Sequence, residues 1–105
     1  GGMLAYKLGM EHASRFAGIL ISNSALSSAG NRDALIAKAS WSIPVAHRAG
    51  TYDSVFPITK VRSDWAALEA AGFPLETSEV PGGHDGTTED WATWLIPKMQ
   101  GWKRP

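Results

Sequence analysis

The sequence predicts an α/β fold with a mostly parallel sheet flanked by helices, and three observations point there. Helix-like and strand-like stretches alternate along the chain. The strand-like ones are short, apolar and partly β-branched, as in strands buried on both faces. The side chains most capable of chemistry fall on turns that follow two of these strands, where such sheets gather their functional groups.

The elements are justified in chain order. From Met3 to Phe16, apolar Met3, Leu4, Tyr6, Leu8, Met10, Ala13 and Phe16 recur at three- and four-residue steps, the pattern of a helix with one buried side. "AGILISNSA", residues 17 to 25, is an apolar run closed by small polar residues and reads as a buried strand. The stretch that follows, "LSSAGNRDALIAKASW", opens as a loop and holds a short helix from Asn31 to Ala39. "SIPVAHRAGTYD", residues 42 to 53, reads as a second buried strand running into a glycine turn, with Pro44 tolerable near its start.

"ITKVRSDWAALEAAG", residues 58 to 72, has the fullest set of helix signals. Thr59 offers a cap, Val61, Trp65, Leu68 and Ala71 or Ala67 form a stripe, and Gly72 closes the helix. "FPLETSEVPGG", residues 73 to 83, is a shorter strand with a more exposed face. In "TTEDWATWLIPKMQGW", Thr87 or Thr88 caps a last helix with Glu89 and Asp90 in its first turn, and Pro97 kinks it or ends its regular part.

At 105 residues and 44% hydrophobic content the chain suits one core, so residues 1–105 are read as a single domain. Ten Lys and Arg balance ten Asp and Glu without a basic run, which removes the electrostatic footprint that nucleic-acid binding needs. With no cysteine there is neither a disulfide framework nor a thiolate, a composition that secreted bacterial proteins also show, so the compartment stays open. No apolar run reaches the roughly 20 residues that span a bilayer. No phosphate loop and no G-x-G-x-x-G follow a strand, which disfavours a nucleotide binder or dehydrogenase, and no cofactor is expected.

Asp53 ends one strand in "AGTYDSVFP", and His84 ends the next in "VPGGHDG". Adjacent parallel strands would bring these two side chains to the same sheet edge. A carboxylate accepting from one ring nitrogen fixes the histidine tautomer and leaves the other nitrogen to take a proton from a nucleophile.

The chain resembles the C-terminal part of an α/β-hydrolase. Gly1 and Gly2 followed by "MLAYKL" look like the end of a nucleophile elbow of the G-x-S-x-G-G type and the helix behind it. "GTYDSVFP" looks like the acid loop and "GGHDG" like the histidine loop. Among the branches, polyhydroxybutyrate-depolymerase-like and feruloyl or acetyl esterases look closest, on "FAGILISNSAL" and the "PGGH" turn.

The resemblance implies a serine carboxylesterase with an ester substrate, Asp53 and His84 as triad members, and a serine two positions before Gly1. The oxyanion hole would also lie upstream, so the chain is expected to be completed by an N-terminal half. Ser22 and Ser24 lack the flanking glycines of an elbow, and Ser54 lacks its geometry. The competing reading is a non-catalytic α/β piece whose open sheet edge is completed by another chain.

Simpler roles stand beside each of these. His84 also fits a loop histidine bonded to backbone, Asp53 a turn residue, and Gly1 and Gly2 a remnant of a cleaved tag. His12 and His47 read as structural and a zinc site as improbable; "DGTTED" reads as a solvated helix start rather than a calcium loop. Trp41, Trp65, Trp91, Trp94 and Trp102 read mostly as core and helix-packing residues, with Trp41 at a strand entry. Val55 and Phe56 read as packing residues before pocket lining.

Overall fold

The computed structural model describes residues 2–84 and 91–105. Gly1 and the stretch with Asp85, Thr87, Thr88, Glu89 and Asp90 lie outside the described residues, and with them the expected cap of the last helix.

Three parallel strands form the sheet in the order β1-β2-β3, with β1 Ile19–Ser22, β2 Val45–Gly50 and β3 Leu75–Val80. Ile19 pairs with Val45, which pairs in turn with Leu75. Each strand is shorter than its apolar run suggests because the run includes the turns that carry the chain into and out of the sheet. Ile43, for example, is buried in the core but its N–H bonds to the Trp41 carbonyl in a turn ahead of β2.

Among the described residues, four helices accompany the sheet: α1 Gly2–Glu11, α2 Arg32–Lys38, α3 Ile58–Ala70, and a short α4 Ile96–Lys98 that continues a wide-turn segment Trp91–Leu95. Single 3₁₀ turns occupy Ala13–Arg15 and Leu26–Ser28. The expected helix over residues 3–16 therefore breaks after Glu11. Val45, His47 and Ala49 of β2 face α1 and α3, since His47 touches Tyr6 and Trp65. Alternate residues face the last helical segment, since Arg48 lies under the Trp94 ring and Lys98 reaches Glu76. Helices thus cover both faces of a parallel sheet.

Asn31 caps α2, its side chain accepting from the Ala34 N–H at 2.9 Å. In α3 the cap expected at Thr59 is not used. The helix starts behind Pro57, whose extended backbone (φ −55°, ψ 138°) turns its carbonyl to accept from Lys60 and Val61, leaving Thr59 inside the first turn. Gly72, at φ 85°, ends the helix as expected.

Helix α1 has one buried side, as expected, but it is narrower than the apolar stripe. Tyr6, Gly9, Met10 and, beyond the helix, Ala13 are buried, whereas Leu4 is 59% exposed and Met3, Leu8 and Phe16 are also exposed. Leu8 and Phe16 line an apolar groove of about 170 Å³ with Ala5, Gly9, Gly18, Ile19 and Leu20, along the edge of β1 that has no strand beside it among the described residues. The described tryptophans pack as expected, to different depths. Trp65 is in the core, while Trp41, Trp94 and Trp102 are half-buried. Trp41 donates to the Ala13 carbonyl at 2.7 Å, and Trp102 packs over Gly18.

One buried charge had a sequence signal that the stripe reading passed over: Asp64 interrupts the apolar stripe of α3. It is buried with Val61, Trp65 and Leu68. Its Oδ2 accepts from the Ser27 N–H at 3.0 Å and the Ser27 hydroxyl at 2.9 Å, and Oδ1 faces Arg32 Nη1 at 3.6 Å. A buried carboxylate with this set of partners ties α3 to the turn after β1. Asp64→Ala leaves the Ser27 donors unpaired and is expected to lower the unfolding free energy by roughly 1–3 kcal/mol, read by urea titration.

Candidate functional site

Asp53 and His84, the two predicted site residues among the described residues that carry titratable side chains, meet at the C-terminal edge of the sheet. The ladder between β2 and β3 continues past the strands: the Thr51 N–H bonds to the Val80 carbonyl and the Tyr52 N–H to the Gly82 carbonyl, both at 2.9 Å. These bonds hold the histidine loop against the acid loop. Gly50 makes the approach possible, because a Cβ there would lie 2.5 Å from the Gly83 oxygen and 2.6 Å from the Gly82 oxygen. Both obstacles are backbone, so they cannot swing away. Gly50→Ala is expected to push the histidine loop off the sheet end and to cost about 1–3 kcal/mol, with loss of the His84–Asp53 contact in a crystal structure of the variant.

The carboxylate of Asp53 is divided between two tasks. Oδ1 accepts from the Val55 N–H at 2.8 Å and the Phe56 N–H at 2.9 Å, which is the turn role expected of an aspartate. Oδ2 is left for His84, whose Nδ1 lies 3.2 Å away. With its proton on Nδ1 the imidazole donates to the carboxylate, and Nε2 is then the free, basic nitrogen. The Asp53 side chain is only 2% exposed while that of His84 is 45% exposed, so the acid is enclosed and the base faces outward. The Phe56 ring lies against the imidazole, centroids 5.4 Å apart at 40°.

Gly2, the described half of the expected elbow remnant, starts α1. A Cβ on Gly2 would meet Ser24 Cβ at 2.4 Å, so α1 begins in close contact with the turn after β1. Gly1 is outside the described residues. Ser24 is buried, and its hydroxyl has no hydrogen-bond partner among the described residues. Among the described residues the partners of His84 are Asp53 and Phe56, not Ser22 or Ser24. Val55, read as a packing residue, is 58% exposed, and Tyr52 is 75% exposed; the two flank Asp53 on the surface.

Sequence reasoning missed the pair behind this edge. The Tyr6 hydroxyl and His47 Nδ1 are hydrogen-bonded at 2.7 Å, both side chains fully buried. His47 is structural, as expected from a histidine inside a buried strand. Burial drives its pKa down from 6.5 to about 3, against a smaller opposing effect of the Ser24 backbone, so it is neutral. Among the described residues Nε2 completes no hydrogen bond. Burial first, and the Asp64 charge second, push the Tyr6 hydroxyl well above its ordinary pKa, so it keeps its proton. The sequence signal was a tyrosine on the buried stripe of α1, which must find a partner for its hydroxyl.

No protein-family model and no curated protein sequence matches the chain. The crystal structure of esterase PE8 is similar in fold, with a TM-score of 0.65 at 16% identity over 90% of this chain and 45% of that one. The expected α/β architecture, a parallel sheet flanked by helices, is the one observed, and the chain spans less than half the length of that esterase. Among the described residues no helix is long and apolar enough to cross a membrane.

Proposed function

We propose that the chain is the C-terminal part of a single α/β-hydrolase domain whose activity is hydrolysis of carboxylic esters by a Ser-His-Asp triad. The observation that carries this reading is the His84 Nδ1 to Asp53 Oδ2 contact of 3.2 Å at the ends of adjacent parallel strands. An esterase-like fold supports it. The proposed serine stands two positions before Gly1.

In this reading His84 Nε2 takes the serine proton as the serine oxygen attacks the ester carbonyl. Collapse of the tetrahedral intermediate breaks the bond to the alcohol, which leaves with the proton returned by His84. Water then repeats the sequence on the acyl-enzyme and releases the acid. Asp53 remains ionised throughout, holding the tautomer and offsetting the imidazolium charge. Oxyanion stabilisation comes from the residue after the serine and from an earlier loop. Tyr52, Val55 and Phe56 beside the pair favour an apolar group on the ester. Polyhydroxybutyrate-depolymerase-like and feruloyl-type esterases are the proposed branch.

The test is an intact-mass spectrum after exposure to a fluorophosphonate probe, with the protein carrying the residues that precede Gly1. One covalent adduct, formed much more slowly when His84 is replaced, supports the enzyme. A second reading, a non-catalytic piece completed by another chain, is favoured by the open β1 edge and the exposed Leu4 and Leu8 of α1. It expects no adduct.

A further inference from the structure

One hydrogen bond crosses the core to join α1 to β2. Tyr6 and His47 are 41 residues apart, yet the hydroxyl reaches Nδ1 at 2.7 Å with both rings enclosed. Trp65 of α3 closes the other side of the imidazole edge-on, centroids 5.2 Å apart at 81°. His47 is thus wedged between two helices, and only its Nδ1 has a well-formed partner.

The same helix is held at its amino end by a second contact. Asn23, in the left-handed region at φ 53°, turns the chain at the end of β1, and its N–H bonds to the Arg48 carbonyl at 3.0 Å. That turn sets Ser24 directly beneath Gly2, with Ser24 Oγ 2.8 Å from where a Gly2 Cβ would stand. Asparagine tolerates this backbone better than most residues. One turn further along α1, Tyr6 is tied to the neighbour of Arg48 in β2. The two contacts fix one end of the helix against the strand that ends in the acid loop.

An apolar pair of the same shape would bury as much surface, so burial alone does not account for a polar bond here. Packing lets a helix slide or rotate by small amounts at little cost, whereas an O–H aimed at one ring nitrogen is satisfied at one rotation and one height.

We propose that Tyr6 and His47 are positioning residues whose hydrogen bond sets the rotation and height of α1 against β2, and thereby the placement of its amino end relative to Asp53 and His84. The functional consequence rests on the esterase reading, in which the nucleophile is carried at that amino end. A nucleophile displaced by a fraction of an ångström loses its line to His84 Nε2, and rates fall steeply with such displacement.

The experiment compares wild type, Tyr6→Phe and His47→Gln in the protein with the residues preceding Gly1, by two readouts. The first is structural: ¹⁵N spectra of the His47 ring and hydrogen exchange of the α1 amides. Wild type should show Nδ1 unprotonated near neutral pH, and Tyr6→Phe should release that tautomer and speed exchange over Met3–Leu8. A wild-type ring protonated on Nδ1, or α1 exchange unchanged in a folded Tyr6→Phe, overturns the proposal; should Tyr6→Phe fail to fold, the wild-type tautomer and His47→Gln decide.

The second readout is ester hydrolysis. Tyr6→Phe should lower kcat about tenfold with KM nearly constant. His47→Gln, which returns an acceptor to the Tyr6 hydroxyl, should retain most of kcat. Wild-type kcat in Tyr6→Phe overturns the positioning role. No hydrolysis by wild type ends the esterase reading instead, and the ring and exchange data still decide the structural claim.

Discussion

His84→Ala is expected to slow fluorophosphonate capture and ester turnover by roughly 10⁴-fold or more, with the fold intact. The residue is on an exposed loop and its side chain is 45% exposed, so its removal opens no core cavity and leaves the ladder bonds from Thr51 and Tyr52 in place. What is lost is the only imidazole at the sheet end among the described residues, and with it, in the proposed mechanism, the acceptor for the serine proton. Asp53→Asn separates the two tasks of the carboxylate. The amide oxygen can still accept from Val55 and Phe56, so the turn survives, but the amide NH₂ would face His84 Nδ1 and favour the opposite tautomer, with Nε2 carrying the proton. A loss of about 10⁴-fold in kcat with normal thermal stability is the expected outcome. Asp53→Ala, by contrast, should also loosen the acid loop and lower the melting temperature. A His84→Ala protein that labels as fast as wild type would remove His84 from the mechanism.

The second large effect is on stability and comes from His47. In the unfolded chain this histidine takes up a proton as the pH falls below about 6.5, whereas in the folded protein burial keeps it neutral down to about 3. Across that window the unfolded state binds more protons, so stability rises with pH through it and is lost as the pH falls. Above pH 6.5 both states are neutral and the effect vanishes. Each pH unit within the window is worth about 1.4 kcal/mol, so moving from pH 7 to pH 5 should cost about 2 kcal/mol from this group alone. Urea titrations at the two pH values would measure it, with His47→Gln as the control that no longer titrates. The drop should shrink by about that amount in the variant. An equal drop in both proteins would show that His47 is not held neutral by the fold.

These two expectations differ in how far the sequence foretold them. Asp53 and His84 were legible because each stands in a glycine-bearing turn after an apolar run, and turn chemistry is local. Their adjacency followed from the alternation of strands and helices, which makes consecutive strands neighbours in a parallel sheet. Helix α3 was legible for the same kind of reason, down to Gly72 at its end. Its start was not: Thr59 has the chemistry of a cap, but Pro57 had already set the backbone in the extended region and supplied the first carbonyl. The exposed side of α1 was illegible because periodicity counts apolar residues without knowing which of them have a neighbour. Leu4 and Leu8 fit the stripe as well as Tyr6 and Met10 do, yet no described element packs over them. The packing of Trp94 and Trp102 is likewise set by partners far along the chain, Arg48 and Gly18.

By itself the sequence determined the α/β class, the order of its elements, the two loops that bear an acid and a base, and the structural standing of His47. All of these follow from local backbone preference and from the spacing of apolar residues. Only the tertiary structure decided that Gly50 leaves room for the histidine loop, that Asp53 divides its oxygens between its own turn and His84, that Asp64 bonds Ser27, and that Tyr6 reaches His47. Each depends on the register of β2 against its neighbours and on the approach of chain segments distant in sequence. A hydrogen bond needs its two atoms within about 3 Å, and that separation is fixed by packing in three dimensions.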